Sequence, residues 1–571
     1  MPTVAIALIV LMTSILGVSG IRFARTTSNF YVASRSVHPV WNAFAVCGES
    51  LSAASFLGAP ALVMIYGVDM LWALYGWGVG FLLLSLFVAA PVRRFGSYTI
   101  PEFVEGRLDS PKLRPIVAIA IIIVSFFYLL AQLKGAGEVV RYLTGLPYWV
   151  GVVAVGLTVA INLSAGGMRG ITFVQGFQFF FIFLGILVPF VVVSYLWTTQ
   201  PSPPLLTDQN PTFLSSSPTD YPETVVIDVE KTTAATVDGT IDEQTQSGDF
   251  IFEPGEYKVA AETTIVWPEG SLVPHSKTIE RQTGAGWAEP WSTDNDGDRS
   301  GVYVSLSTFI SNMLGILGLP HIIIRFYTNP TGRSARRTNL WVIALIMPYY
   351  AMLPLLGAAG RALSPGLLSS GTTDTVTIVI GSTISDGRSG ELLGSIVAAG
   401  AAAAFLSTAS GLLITMAGAV SHDVLSAGIP QFRRAVWASA LVTISAGLLV
   451  QPINITDLIG WSTSFAASSI CPILILGIWW TGLTPRGAYA ALLVGGSLTT
   501  LAVAVSLSGV LTSSWPAAIV NVPAIWSSPA AFIAAIVVSR RDNDRVSSIG
   551  YKFALMHVPE RREPQPLRDL V

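Results

Sequence analysis

The chain has 571 residues, of which 52% are hydrophobic and 12% charged, and its mean hydropathy is +0.62. Soluble domains carry about twice that share of charge, so the composition excludes an ordinary soluble protein. Apolar runs of about twenty residues recur along the chain, which is long enough to cross a hydrocarbon layer of roughly 30 Å as a helix. Because backbone inside lipid must satisfy its own hydrogen bonds, the sequence predicts an all-α polytopic membrane protein.

The hydropathy pattern predicts thirteen membrane spans. They lie near residues 2–20, 41–65, 69–91, 114–143, 148–164, 170–196, 302–324, 339–360, 390–419, 435–450, 457–480, 487–508 and 523–539. The first has no basic residue before its apolar run, so it is interpreted as a retained helix rather than a signal peptide.

Positive charge is concentrated in alternate loops. The loops assigned to the cytoplasm carry Lys and Arg, whereas the opposing short loops 66–68, 144–147, 451–456 and 509–522 carry none. This bias predicts a multi-pass protein of the cell membrane, with its N-terminus outside and its C-terminus in the cytoplasm. The charged, proline-containing tail 540–571 is expected to be disordered.

A long hydrophilic insertion, 197–301, interrupts the series of spans on the predicted outer side. Residues 201–300 hold 18 acidic and 5 basic residues. Alternating segments at 224–229 and 262–267 indicate strands, and the Asp-Gly pair 238–239 is interpreted as a turn between strands. The insertion is therefore predicted to be a small β-rich extracellular lid or decoration.

One acidic stretch within the insertion, 294–298, has the spacing of a calcium-binding loop. The glutamate that closes such a loop is absent, since position 305 is Ser. A solvated acidic turn is the favoured interpretation.

The second and seventh spans carry helix breakers at membrane depth. The second contains Gly48, Gly58 and Pro60, and the seventh contains Gly318 and Pro320. Each is the first helix of a five-helix block, and interrupted helices in matching positions of two halves indicate a transport site. Freed carbonyls can bind a cation, and the N-terminal end of a half-helix attracts an anion. The alternative is that neighbouring helices simply repair the lost hydrogen bonds.

A polar cluster in the ninth span shares one helical face. Ala404, Ser407 and Thr408 stand at positions i, i+3 and i+4. Two hydroxyls and a carbonyl offer hard oxygen ligands to an alkali cation. Small hydroxyl residues also serve as close-packing positions between membrane helices, so packing remains an alternative.

Four ordered motifs resemble those of the sodium/solute symporter family, and most closely its cation/acetate symporter branch. They read GESLSAASFLG at 48–58, YLLAQLKGAG at 128–137, GLPHIIIRFYT at 318–328 and AGAVSHD at 417–423. The resemblance extends over the thirteen spans and leaves out the insertion.

The resemblance implies a 5+5 inverted-repeat core of the leucine-transporter type with flanking helices. It also implies a sodium site built from the carbonyls of Gly48 and Leu51, facing Ala404, Ser407 and Thr408. The expected division is a flanking helix and loop 1–40, a first repeat 41–196, the insertion 197–301, a second repeat 302–480, flanking helices 481–539 and the tail 540–571.

The identity of the coupling ion is left open by two residues. Gln175 stands where sugar- and proline-carrying members of the family have an aspartate near sodium, so a proton remains a possible coupling ion. Glu49 lies at membrane depth, where a carboxylate is expensive. It could retain the cation, carry a proton, or be hydrogen-bonded within the bundle. Arg325 is expected to mark the cytoplasmic boundary.

A substrate pocket is predicted between the breaks of the second and seventh spans. Small side chains leave room there, and backbone N–H groups can hold a carboxylate. The candidate substrate-binding residues are Ser50, Ala53, Ala54, Gln132, Leu319, His321, Trp461 and Ser464.

These features predict sodium-coupled symport of a small monocarboxylate, of the acetate, propionate or pyruvate class, by alternating access. A proton-coupled carrier, or a symporter of another small solute such as proline, is the alternative. A receptor, a channel and an enzyme are disfavoured, because no signalling domain, repeated pore motif or catalytic motif is apparent. The expected partners are the small carboxylate, sodium or a proton, and the lipid bilayer, with no nucleic acid and a monomer as the working unit.

Overall fold

The computed structural model describes residues 1–19, 33–199, 209–277, 279, 284–290, 300–383, 387–425, 428–451, 453–511, 514–542 and 549–559. In these ranges the chain is mostly helical, with one β-sheet. The acidic stretch 294–298, interpreted as a solvated turn, lies outside the described residues.

The first half of the chain, through the interrupted seventh span, contains eleven described helices. They are α1 Pro2–Ser19, α2 Pro39–Ser50, α3 Ala59–Tyr66, α4 Leu71–Phe87, α5 Ala89–Phe95, α6 Ile100–Leu108, α7 Leu113–Thr144, α8 Tyr148–Thr199, α9 Ala285–Ala288, α10 Ser300–Gly318 and α11 Pro320–Ile324.

The second half adds eleven more among the described residues. They are α12 Gly332–Leu363, α13 Gly366–Ser370, α14 Val376–Thr383, α15 Gly387–Gly418, α16 Ile429–Gly447, α17 Ile455–Phe465, α18 Cys471–Trp479, α19 Pro485–Ser508, α20 Ser514–Asn521, α21 Ala524–Arg541 and α22 Ile549–His557.

Helices that can cross a membrane dominate this architecture. Eight helical segments in the described residues are long and apolar enough, or nine if the bent pair Trp515–Asn521 and Ala524–Arg541 forms one span. The 52-residue α8 covers two of the predicted spans, and Gly167, with φ 56° and ψ −164°, divides it. A straight helix of that length would measure about 78 Å, far more than one crossing. The chain is thus a multi-pass membrane protein, and the number thirteen stays a prediction.

Both helices with breakers are interrupted where the sequence placed the breaks. After α2, Leu51 leaves the helical conformation with φ −80° and ψ 81°, and a π-helical turn, Ala54–Gly58, leads into α3. After α10, Leu319 is extended with φ −70° and ψ 112°, and Pro320 opens α11. Proline lacks the N–H that would continue α10 and suits the first position of a new helix.

The centre of the bundle is α15. It packs against α1, α2, α7 and α8. Its residues 397–418 are buried throughout. The alanine- and glycine-rich sequence of this helix lets neighbouring backbones approach closely, as is typical of helix contacts in membranes.

The insertion folds into an antiparallel seven-stranded sheet, so its β-rich character is confirmed. The strands are β1 Ser217–Tyr221, β2 Val225–Val229, β3 Thr233–Ile241, β4 Gln244–Phe252, β5 Gly255–Val259, β6 Thr263–Trp267 and β7 His275–Ser276.

The turn predicted at Asp238 and Gly239 is wrong. Both residues lie inside β3, where Asp238 pairs with Ser247. The chain instead reverses at Asp242 and Glu243, whose φ angles are 48° and 67°. A two-residue hairpin turn with positive φ at both positions matches the twist of the strands, and it forms here without glycine.

The insertion is fastened to the helical bundle by Trp287 in α9. The indole N–H donates to the carbonyl oxygen of Val63 at 2.9 Å and to that of Met64 at 3.1 Å. The Arg361 guanidinium lies 4.8 Å above the ring centre, and the Trp287 side chain is almost fully buried. The Val63 carbonyl oxygen also accepts from the Gly67 N–H, and that of Met64 also accepts from Arg361 at 3.0 Å, so the indole joins the hydrogen bonds that end α3.

The tail is not entirely disordered, contrary to the sequence-based expectation. Residues Ile549–His557 form α22, which packs on α5 with Met556 buried. Arg94 donates to the carbonyl oxygen of Met556 at 3.2 Å, and a ring nitrogen of His557 lies 2.9 Å from the Ile478 carbonyl oxygen. The prolines that suggested disorder begin at residue 559, after this helix ends.

Replacing Trp287 with alanine is expected to loosen the insertion, because the substitution removes a buried aromatic side chain and two hydrogen bonds. Loss of a buried tryptophan costs about 3–5 kcal/mol. Limited proteolysis of the purified protein will show cleavage within the insertion at least about tenfold sooner than in the wild type. Trp149→Ala, which truncates a half-exposed tryptophan of α8, is the matched control. Equal cleavage rates in the two variants would contradict the fastening role.

Candidate functional site

The hydroxyl cluster of α15 faces the end of α2. The Thr408 hydroxyl donates to the carbonyl oxygen of Glu49 at 2.7 Å. A Cβ atom built on Gly48 would lie 3.3 Å from the Ser407 Oγ, so the two helices touch at this point. Among the described residues the buried Ser407 hydroxyl has no hydrogen-bond partner. The lone pairs of this oxygen are therefore available to a ligand.

Gln175 of α8 joins the same cluster. Its amide nitrogen donates to the Ser407 carbonyl oxygen at 2.8 Å. The Gln175 carbonyl oxygen would lie 2.4 Å from a Cβ atom on Gly48, so glycine is required for this approach. The other two candidate sodium ligands, Leu51 and Ala404, are fully buried at the break and one turn before Ser407. Hard oxygen atoms from three helices thus converge.

Arg325 is fully buried in the bundle. Its predicted place at the cytoplasmic boundary stays a prediction. Its Nε donates to the Glu49 carboxylate, and one terminal nitrogen donates to the Gln175 side-chain oxygen. The other terminal nitrogen donates to the Thr172 hydroxyl at 2.9 Å. A buried ion pair therefore joins the segment after α11 to the end of α2.

The Glu49 side chain lies directly on α15. A Cβ atom on Gly411 would fall 1.6 Å from Glu49 Oε1. This oxygen is buried and has no hydrogen-bond partner in the described part of the chain. The carboxylate is thus held by Arg325 on one side and by the bare backbone of Gly411 on the other.

A small cavity of about 10 Å³ lies between the two helix breaks. This is room for about one water molecule, so a small solute can enter only if the surrounding helices move apart. No charged side chain is among the described residues that line it. The lining residues are Ser50, Ser52, Ala54, Ser55, Trp77, Phe81, Tyr128, Ile316, Leu319, Ile322, Tyr350 and Thr463.

Three of the candidate substrate residues, Ser50, Ala54 and Leu319, line this cavity. The Ser50 hydroxyl is buried and has no partner among the described residues, so it is free to bind a ligand. Gln132 lies behind the cavity wall, where its side-chain oxygen accepts a hydrogen bond from the Ala53 N–H at 2.9 Å. Ala53 and Gln132 therefore stabilise the interrupted helix rather than line the space.

The remaining candidates lie further from the cavity. His321 packs edge-on against Tyr128, with ring centres 5.2 Å apart. Trp461 packs against Phe127, and the Ser464 hydroxyl bonds that of Ser311 at 3.0 Å. These three residues are not among those that line the cavity.

Sequence reasoning missed the aromatic lining of the cavity. Trp77 and Phe81 stand at i and i+4 of α4, so their spacing could have placed them on one face. Tyr128 belongs to a quoted motif, and its hydroxyl lies 3.2 Å from the Ser52 hydroxyl. Tyr350 gave no signal, because its helix has no polar pattern between residues 340 and 360.

The sequence is similar to that of a known family and of individual bacterial proteins. A sequence model of the sodium:solute symporter family matches residues 30–198 and 281–495. An uncharacterised symporter of Bacillus subtilis, YwcA, is 28% identical over 89% of this chain and 85% of its own length. A monocarboxylic acid transporter of Corynebacterium glutamicum is 27% identical over 94% and 90%.

The fold is similar to that of a Na+-coupled sialic acid symporter in a substrate-bound, outward-open state. The TM-score is 0.62, and the match covers 95% of this chain and 98% of the other at 13% sequence identity. At that identity the likeness describes the fold alone.

Gly411→Ala is expected to destabilise the protein, because the added methyl group would collide with the Glu49 carboxylate. Overpacking of this kind costs about 1–3 kcal/mol. Gly418→Ala is the matched control on the same helix, since the nearest atom to its added methyl would be 4.0 Å away. A helical Gly→Ala change with free space stabilises by about 0.5–1 kcal/mol. Thermal unfolding of the purified variants should therefore shift in opposite directions, and a shared upward shift would contradict the packing.

Proposed function

Because the chain belongs to the sodium:solute symporter family, we propose that it carries a small monocarboxylate across the membrane together with sodium. The observation that carries this proposal is the meeting of the Ser407 and Thr408 hydroxyls with the interrupted end of α2, beside the cavity. Symport requires an ion site and a solute site that share a mobile element. The break after Ser50 is that shared element.

The chemistry of the cluster supports sodium as the coupling ion. Backbone carbonyls near Gly48 and Leu51, together with the free Ser407 hydroxyl, are hard and uncharged oxygen ligands. Such ligands suit a cation that sheds its water shell, by extension of the rule for hard cations. Glu49 is a poor proton carrier by comparison, since Arg325 already holds its carboxylate. This pairing favours sodium over the proton-coupled alternative.

The chemistry of the cavity supports a small monocarboxylate as the solute. Its lining combines aromatic and aliphatic side chains with the hydroxyls of Ser50, Ser55 and Thr463, and it includes no charged residue among those described. A second carboxylate would enter without a partner, which is costly in such surroundings. The single negative charge of a monocarboxylate can be balanced by the sodium ion bound next to it.

The transport cycle follows from the two interrupted helices. Sodium binds first and orders the break in α2, and the carboxylate then binds in the cavity. The proposal includes the 5+5 inverted repeat, the thirteen spans, the outside N-terminus and a monomeric working unit. The likeness to the sialic acid symporter fold supports the inverted repeat. The name of the Corynebacterium relative supports the substrate class.

Uptake into proteoliposomes tests the proposal. Labelled acetate, propionate, pyruvate and proline are supplied with a sodium gradient or a pH gradient imposed separately. We expect an inward sodium gradient to drive uptake of at least one of the three carboxylates, and a pH gradient alone to drive none. Uptake of proline alone, or carboxylate uptake driven by the pH gradient alone, would reject sodium-coupled monocarboxylate symport.

Ser407→Ala and Thr408→Ala together are expected to raise the half-saturating sodium concentration at least about tenfold, because hydrogen-bonding or ligand contacts to a charged group are worth about 1.5–3 kcal/mol each. Ser410→Ala is the matched control, since its hydroxyl donates within its own helix to the Leu406 carbonyl oxygen at 2.6 Å. The control should stay within about twofold of the wild type. Unchanged sodium dependence in the double variant would remove the ion-site assignment.

A further inference from the structure

The ion pair between Glu49 and Arg325 adjoins the candidate sodium site on two sides. The Glu49 carbonyl oxygen accepts from Thr408, and its side chain rests on Gly411 one turn further along α15. Arg325 contacts the Gln175 side chain, which in turn donates to the Ser407 carbonyl oxygen. The carboxylate and the guanidinium are each separated from the hydroxyl cluster by one intervening group.

The pair is completely enclosed. The Arg325 side chain has no exposed surface and that of Glu49 is 1% exposed, so neither charge is screened by water. A lone carboxylate at this depth would attract a mobile cation, because an unpaired charge in such surroundings is expensive. Arg325 removes that attraction, since its positive charge is covalently part of the protein.

We propose that Arg325 is a built-in counter-cation for Glu49, which keeps the core beside the sodium site at zero net charge and limits coupling to one sodium ion per carboxylate. The inference rests on the proposed function, since it presupposes sodium coupling. With the pair neutral, one sodium ion and one monocarboxylate give a loaded carrier without net charge. Transport is then insensitive to membrane potential.

The two charges also stand on the two interrupted segments. Glu49 is the penultimate residue of α2, and Arg325 directly follows α11. The pair therefore ties together the elements that frame the cavity, without touching the cavity itself. Its charge can be removed while the lining of the solute space stays intact.

The test measures uptake in proteoliposomes as a function of sodium concentration and of an imposed potassium diffusion potential. Four proteins are compared: the wild type, Glu49→Gln, Arg325→Gln and the double variant Glu49→Gln/Arg325→Gln. The wild type should show a first-order dependence on sodium and no response to potential. A second sodium ion per carboxylate would move one net charge across the membrane, and this would change the accumulation ratio about fortyfold at 100 mV.

Each single variant leaves one buried charge without its partner, so uptake should fall about a hundredfold or more. Any uptake that remains in Arg325→Gln should require a second cation, seen as a sodium dependence steeper than first order or a response to potential. The double variant restores neutrality, and it should regain uptake with the first-order sodium dependence of the wild type.

A second buried arginine provides the matched control. Arg107 of α6 donates to the carbonyl oxygens of Gly477 at 2.7 Å and Trp480 at 3.1 Å, away from the candidate site. Arg107→Gln should alter the amount of folded protein without changing the order in sodium. A change of sodium order in this variant would show that the loss of any buried arginine has that effect, and would overturn the assignment to Arg325.

Three results would also overturn the proposal. They are wild-type uptake that responds strongly to potential, an Arg325→Gln variant with unaltered rate and sodium order, and a double variant that is inserted normally but no better than the single ones. These results are separable from failure of the proposed function. Wild-type uptake without sodium dependence rejects the proposed function itself, whereas sodium-dependent wild-type uptake with no recovery in the double variant rejects only the charge balance.

Discussion

An interrupted helix within a membrane leaves backbone groups that neither lipid nor water can satisfy, and the rest of this structure depends on how they are paired. At the end of α2, neighbouring helices supply the hydrogen-bond partners. The Ala53 N–H is taken by the Gln132 side chain, and the Glu49 carbonyl oxygen accepts from Thr408. The helices around the break thus supply the hydrogen-bond partners that it lacks. An ion bound at the break would replace some of these hydrogen bonds.

The buried charges are paired in the same way as the backbone groups at the break. Glu49 and Arg325 lie where either charge alone would be very costly. Together with Gln175 and Thr172 they form a network in which each guanidinium nitrogen donates to an acceptor. Glu49 Oε1 has no hydrogen-bond partner in the described part of the chain, and it lies against Gly411, which has no side chain. Buried pairs of this kind are weak sources of stability, and their value lies in specifying one arrangement of the segments that carry them.

Much of the architecture could be predicted from local sequence. Apolar length predicts the membrane helices, and Pro320 predicts the break after α10, because proline acts on its own backbone. The break in the second span was predicted near Gly48 and lies three residues further, at Leu51. The sharing of one face by Ser407 and Thr408 follows from helical spacing alone. These inferences need no knowledge of distant parts of the chain.

What the sequence left open depends on partners far away in the chain. Arg325 follows an apolar run, and this pattern is also typical of the end of a membrane helix. Its burial is explained by the position of Glu49, which lies 276 residues earlier in the chain. The cavity wall contains Trp77, Phe81 and Tyr350, from apolar stretches of two helices that show no polar pattern. The turn at Asp242 was missed for a different reason, since positive φ was assigned to the nearest glycine.

The helix α22 makes residues Ile549–His557 part of the folded body. Its Lys552 pairs with Asp109, and Met556 is buried beneath the neighbouring helices. If a fluorescent reporter or affinity sequence replaces the chain after Arg541, α22 is removed and these contacts are lost. If it is joined after residue 559 instead, the contacts stay in place. A variant truncated after its last long apolar helix therefore lacks the packing of α22. Poor expression of such a variant reflects the loss of this helix rather than a defect in the remaining sequence.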